Sequence, residues 1–132
     1  MLLAAGLIFI GALLLGVWKF RQMAAADDGL AHPYVDTAHR AALLYSFATL
    51  LIATFVELSG WSTAVNLVAA FSVIFFFVAA LSGYIWQGAR QVTDNQFRDP
   101  SPGLHAFIWA LILVEIAGFS VLLVGFVEAQ IL

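Results

Sequence analysis

The sequence predicts an all-α integral membrane protein, a four-transmembrane-helix bundle that reads as one domain over residues 1–132. Three observations predict it. Hydrophobic residues make up 64% of the chain and charged residues 10%, with a mean hydropathy of +1.02, far from the balance of a water-soluble domain. The apolar residues fall into four blocks, each about as long as the ~20 residues a helix needs to cross a hydrocarbon core. Polar stretches rich in turn-forming residues separate the blocks, and all five Lys and Arg residues fall at or beside two of those stretches.

The first expected helix covers residues 2–18, LLAAGLIFIGALLLGVW, and is closed by Lys19 and Arg21. The AAA at Ala24 to Ala26 resembles a signal-peptidase site. A secretory signal, however, carries its positive charge before the apolar stretch, and here it follows, so the segment is expected to remain as a membrane helix. The second covers residues 38–58, AHRAALLYSFATLLIATFVEL, with Asp36 or Thr37 as its cap and Gly60 just past its end. The third covers residues 62–86, opening at Ser62 or Thr63. The fourth covers residues 104–127, opening at Ser101 with Pro102 in the first helical position.

Lys19, Arg21, Arg40, Arg90 and Arg98 lie at the first and third connections. Basic residues are retained on the cytoplasmic side, so both connections are expected there, with both termini and the SGWS turn outside. In a bacterial host the membrane would be the inner one. All three histidines, His32, His39 and His105, fall on the same side, together with Tyr34, Tyr84, Gln87, Asp94 and Asn95. Chemistry is therefore expected near the cytoplasmic mouth. The chain has no cysteine, which excludes disulfides, thiolate catalysis and cysteine-ligated metals. The basic residues form no run and the net charge is −3, so nucleic acid is not an expected partner.

His39 stands out because it lies just inside the second helix, where helical spacing surrounds it with Ala42, Leu43 and Ser46. Small and apolar neighbours point the ring into protein. A neutral imidazole there has a lone pair to offer a metal, and an interfacial anchor is the plainer reading.

The run TAH at Thr37 to His39, in the second of four membrane helices, resembles the styrene oxide isomerase and hydroxylaminobenzene mutase group of small four-helix membrane proteins. In that group an Ala-His pair opens the second helix, and Asn-Gly begins six residues after the histidine. Its isomerase members bind haem b at a subunit interface through that histidine and use a tyrosine of the third helix beside the reacting epoxide. The resemblance implies His39 as axial ligand and metal-binding residue, and Tyr84 as the matching tyrosine. Tyr45-Ser46 stands where the group has Asn-Gly, so the substrate-positioning amide is absent and Tyr45 joins the candidate catalytic residues. Arg40 and Arg90 are the cations expected near the haem propionates. By the same resemblance the substrate is a small lipophilic molecule such as an epoxide, rearranged by Lewis-acid chemistry, and the assembly is a trimer.

Glu115 lies near the middle of the fourth helix, in LILVEIAGF, where a charge costs at least ~3 kcal/mol on insertion scales. It is expected to face protein, either as a proton relay or substrate contact with a catalytic role, or as an acid bonded across helices to Ser72, Asn66 or a carbonyl. Ala79 and Gly83, and Gly118 and Gly125, offer close helix approach. Four short helices enclose little volume, so a large cofactor is expected between copies of the chain in a homo-oligomer.

Two other readings remain open. Trimeric membrane glutathione transferases have four helices and similar length, but their second helix carries Asn and Glu after its arginines, and here His39-Arg40 leads into AALLYSF. A structural or accessory membrane subunit needs no cofactor: His39 and Arg40 would anchor the interface and Glu115 would fix helix register.

Overall fold

In a computed structural model, which describes residues 1–98 and 100–132, the chain is all-helical. The four helices are α1 (Leu2–Ala25), α2 (Pro33–Leu58), α3 (Thr63–Arg90) and α4 (Leu104–Gln130). Each is long and apolar enough to cross a bilayer, and there is no strand among the described residues, so the chain is an integral membrane protein of four antiparallel helices. At ~1.5 Å per residue they run to about 36–42 Å, longer than the ~30 Å hydrocarbon layer.

The ends of the helices differ from those expected, and the differences have local causes. α1 continues to Ala25 and α3 to Arg90 because polar residues stay helical in the headgroup layer, where hydropathy no longer marks them. Pro33 starts α2 five residues before residue 38: Pro suits the first helical position, and the cap is His32, whose Nδ1 accepts from Tyr34 N–H at 3.3 Å. Asp36 and Thr37 therefore lie inside the helix, and His39 sits almost two turns from its start. α3 opens at Ser62, whose side chain accepts from Val65 N–H at 3.4 Å. α4 does not use Ser101 and Pro102. It begins at Leu104 after Gly103, whose φ of 87° is a left-handed conformation suited to glycine.

α1 packs against α2, α2 against both α3 and α4, and α3 against α4. One apolar cluster joins Ile52, Ala70, Val73, Phe77 and Leu122 across α2, α3 and α4. A second joins Ile8 and Ala12 of α1 to Ala42 and Leu81. Gly118 lets α4 lie close on α3, for a Cβ there would stand 2.6 Å from Val73 Cγ2 and 3.1 Å from the Ala69 carbonyl oxygen. Gly83, by contrast, has open space beside it and is no packing contact. The Phe75–Phe77 triple divides as its helical spacing requires, with Phe75 exposed and Phe77 buried.

The two ends of the bundle are tied differently. The α2–α3 turn is pinned to α4: Gly60 N–H donates to Gly125 O at 2.9 Å, Trp61 Nε1–H to Val121 O at 2.8 Å, and Gln130 Nε2 to Leu58 O at 3.1 Å. At the opposite end the α3–α4 connection is held by Tyr34, whose phenolic oxygen accepts from Gln96 N–H at 2.6 Å.

Candidate functional site

The His39 ring faces α1. Its Nδ1 lies 2.9 Å from the carbonyl oxygen of Ala12, and the ring edge rests on Gly16, where a Cβ would stand 2.9 Å from Cε1. A carbonyl oxygen only accepts, so Nδ1 carries a proton, and in the neutral ring Nε2 is then the nitrogen with the lone pair. A metal-ligating histidine is commonly oriented by such a second hydrogen bond. Ala12 and Gly16 belong to one face of α1, four residues apart, and the missing side chain at Gly16 makes room for the imidazole. Next to the ring, Asp36 bridges two cations, Lys19 at 2.6 Å and Arg40 at 3.1 Å. Arg40 is thus partly engaged, and its side chain remains two-thirds exposed. Arg90 lies over the Trp86 ring, 5.4 Å from its centroid.

Tyr84 is elsewhere. With Tyr34 and Thr37 it lines a cleft of about 520 Å³ between α2, α3, α4 and the α3–α4 connection. Tyr34 and Tyr84 stack with centroids 6.3 Å apart, and Phe97 and Phe107 add apolar wall while Asp94, Asn95 and Gln96 stand towards the connection. At ~100° per residue His39 points about 200° around α2 from Thr37, so within one protomer His39 and Tyr84 lie on opposite sides of that helix. His39 does not line this cleft. The chain matches no protein-family model, no curated protein and no solved structure.

Tyr45 is half-buried and stacks flat on Phe77, with centroids 4.2 Å apart and planes within 7°. Its neighbour Ser46 turns its hydroxyl onto Leu43 O. Glu115 lines a further cleft of about 420 Å³ between α2, α3 and α4, whose lining includes neither His39 nor Tyr84. Its Oε1 is buried and, among the described residues, has no hydrogen-bond partner. Ser72 does not meet it, because its hydroxyl donates to Ala69 O at 2.9 Å, and Asn66 donates to Trp61 O at 3.2 Å. His105 is exposed and edge-on to Phe97, while His32 is spent as the α2 cap.

The arrangement admits one kind of metal group more readily than another. Among the described residues no three His, Asp or Glu side chains converge, as a bare ion would need. Haem brings four of its own ligands and asks the protein for one, a demand that a single neutral imidazole can meet. Sequence reasoning did not find Ala12 and Gly16 as the partners of His39, nor Thr37 and Tyr34 as neighbours of Tyr84. The pairing of small residues on α1 with a histidine on α2 was the available signal for the first.

Proposed function

We propose that the chain is a haem-b-binding, isomerase-like membrane protein acting on a small lipophilic substrate such as an epoxide, with His39 as the axial ligand. The observation that carries the reading is the 2.9 Å contact of His39 Nδ1 with Ala12 O, which orients the ring and, in its neutral form, assigns the lone pair to Nε2. Haem held by His39 would supply Lewis-acid chemistry towards the substrate oxygen. Arg40 and Arg90 are the cations available to propionates, since both are exposed and belong to the same end of the bundle.

The reading requires more than one copy of the chain. His39 lines neither the Tyr84 cleft nor the Glu115 cleft, and α1 and α2 expose Leu7, Phe9, Leu14, Leu44 and Phe47 to lipid or to a neighbour. A homo-oligomer, a trimer by the family resemblance, would wall the group between copies, and the Tyr84 hydroxyl that hydrogen-bonds the substrate oxygen would come from a neighbouring copy. Lys19, Arg21, Arg40, Arg90 and Arg98 all belong to the end that carries the α1–α2 and α3–α4 connections. The retention of basic residues therefore supports a cytoplasmic position for that end, in a bacterial inner membrane with both termini outside.

The test is an absorption spectrum of detergent-purified protein expressed with ample haem. A Soret band in the wild type that is lost in His39→Ala is expected. A colourless wild type overturns the haem reading, and a band unchanged in the variant overturns His39 as its ligand.

One observation favours a second reading, that of a structural or accessory subunit. The His39 ring already joins α1 to α2 through a hydrogen bond and a glycine contact, which is a complete packing role. Under that reading His39→Ala weakens the α1–α2 contact in a protein that carries no chromophore.

A further inference from the structure

Glu115 stands on the twelfth residue of α4, about 16 Å along the axis from its start and so deep in the hydrocarbon layer. An ionised carboxyl group at that depth is stable only with a partner, because its oxygens lose their hydration in an apolar medium without replacement, and without one the group keeps its proton. The chain supplies none to Oε1 among the described residues. No Lys, Arg or His lines the cleft around it. The other walls are Ala48, Leu51, Ile52, Val73, Phe77, Ile116, Phe119 and the hydroxyl-bearing Ser120, a nearly wholly apolar set.

Two further features say what would complete the site. The cleft opens sideways, since Leu51, Ile116 and Ser120 on its rim are exposed on faces that meet lipid. A ligand entering there is already dissolved in the bilayer. Phe77 and Phe119 also present aromatic surface within the same 420 Å³, and the face of an aromatic ring attracts positive charge. A half-buried carboxyl group with one unpartnered buried oxygen and no counter-charge among the cleft residues, set between aromatic walls and reached from lipid, fits a cation that carries its own apolar bulk.

We infer that the Glu115 cleft is a binding site for a lipophilic cation, an ammonium- or phosphonium-type group surrounded by alkyl or aromatic substituents. The site is independent of His39 and of haem, for it lies on the α2–α3–α4 side of the bundle and α1 takes no part in it. Glu115 supplies the charge, the two phenylalanines the surface, and Ser120 a polar edge.

The test uses detergent-purified full-length chain and radiolabelled tetraphenylphosphonium in equilibrium dialysis, with tetraphenylborate as an anion of the same shape. Saturable binding of the cation is expected, with at least tenfold weaker binding of the anion, and Glu115→Gln should raise the Kd for the cation at least tenfold. Glu115→Asp, which keeps the charge on a shorter stem, should retain more affinity than Gln. Equal binding of the two probes, absent binding of the cation, or a Kd unchanged in Glu115→Gln would each overturn the inference. The comparison of cation with anion on the wild type decides the matter even if the variants fold poorly. His39→Ala should bind the cation as the wild type does, so failure of the haem reading leaves this result standing.

Discussion

His39 of α2 donates its Nδ1 proton to the carbonyl of Ala12 on α1, at 2.9 Å. A carbonyl inside an α-helix already accepts from the amide four residues on, so this one serves two donors. The bond fixes both the tautomer and the direction of the ring, and it is possible only because Gly16, one turn further along α1, has no side chain to occupy the same space.

Gly16→Ala should therefore disturb the ring itself. The new Cβ would stand 2.9 Å from Cε1 and 3.3 Å from Nδ1, so the imidazole must swing away or α1 must lift. The expected loss of stability is about 1–3 kcal/mol, read as reversible unfolding in mild detergent. In the His39→Ala background the same change should be nearly neutral, and a double-mutant cycle measures that coupling.

Gly125→Ala should loosen the other end of the bundle. A Cβ at that position collides with Ser59 Oγ and the Trp61 ring, the groups that seat the α2–α3 turn on α4. A lower melting temperature is expected, by an amount matching about 1–3 kcal/mol, with a red-shifted Trp fluorescence as Trp61 leaves its place against Val121.

Tyr34→Phe removes the acceptor of the Gln96 amide and little else, because the ring stays buried and stacked on Tyr84. A net loss of about 1 kcal/mol is expected. The Gln96 amide should exchange its hydrogen roughly fivefold faster, while amides in the middle of α3 keep their protection. Equal rates in the two proteins would show that the hydroxyl does not hold the connection.

Asp36→Asn breaks the ion pairs to Lys19 and Arg40 together. Asp36 is 30% exposed and Arg40 67%, so water and salt screen the contact and the loss should stay below about 1 kcal/mol. Raising ionic strength should narrow the difference from wild type further, as thermal unfolding at low and high salt will measure.

The membrane-crossing cores were legible in the sequence because twenty apolar residues admit few other structures, whereas the helix ends were not. Hydropathy follows the thickness of the lipid, and α1 and α3 carry on past it as amphiphilic turns through Lys19 and Gln87. For α2 the signal was present but outweighed: Pro33 suits the first turn, yet Asp36 and Thr37 are the more usual caps, and the structure uses His32. The inward aim of His39 was readable from Ala42 and Ser46, both buried. Its partner was not, since periodicity gives the angle of a residue around its own helix and not which neighbour fills that angle. Glu115 was recognised as the costly residue, but Ser72 and Asn66 turn to backbone carbonyls instead.

The unequal attachment of the helices bears on the order of assembly. α1 lies close along α2 and reaches α3 only through side chains such as Ile8 against Leu81, and its polar ties to α2 join groups that leave the ribosome close together, so this hairpin is able to close while α3 is still being made. The turn around Gly60 and Trp61 waits longer, because its acceptors belong to the last helix synthesised. Biogenesis thus has an early clasp at one face and a late latch at one end, and a chain halted before α4 would expose that turn unfastened to the quality-control machinery of the membrane.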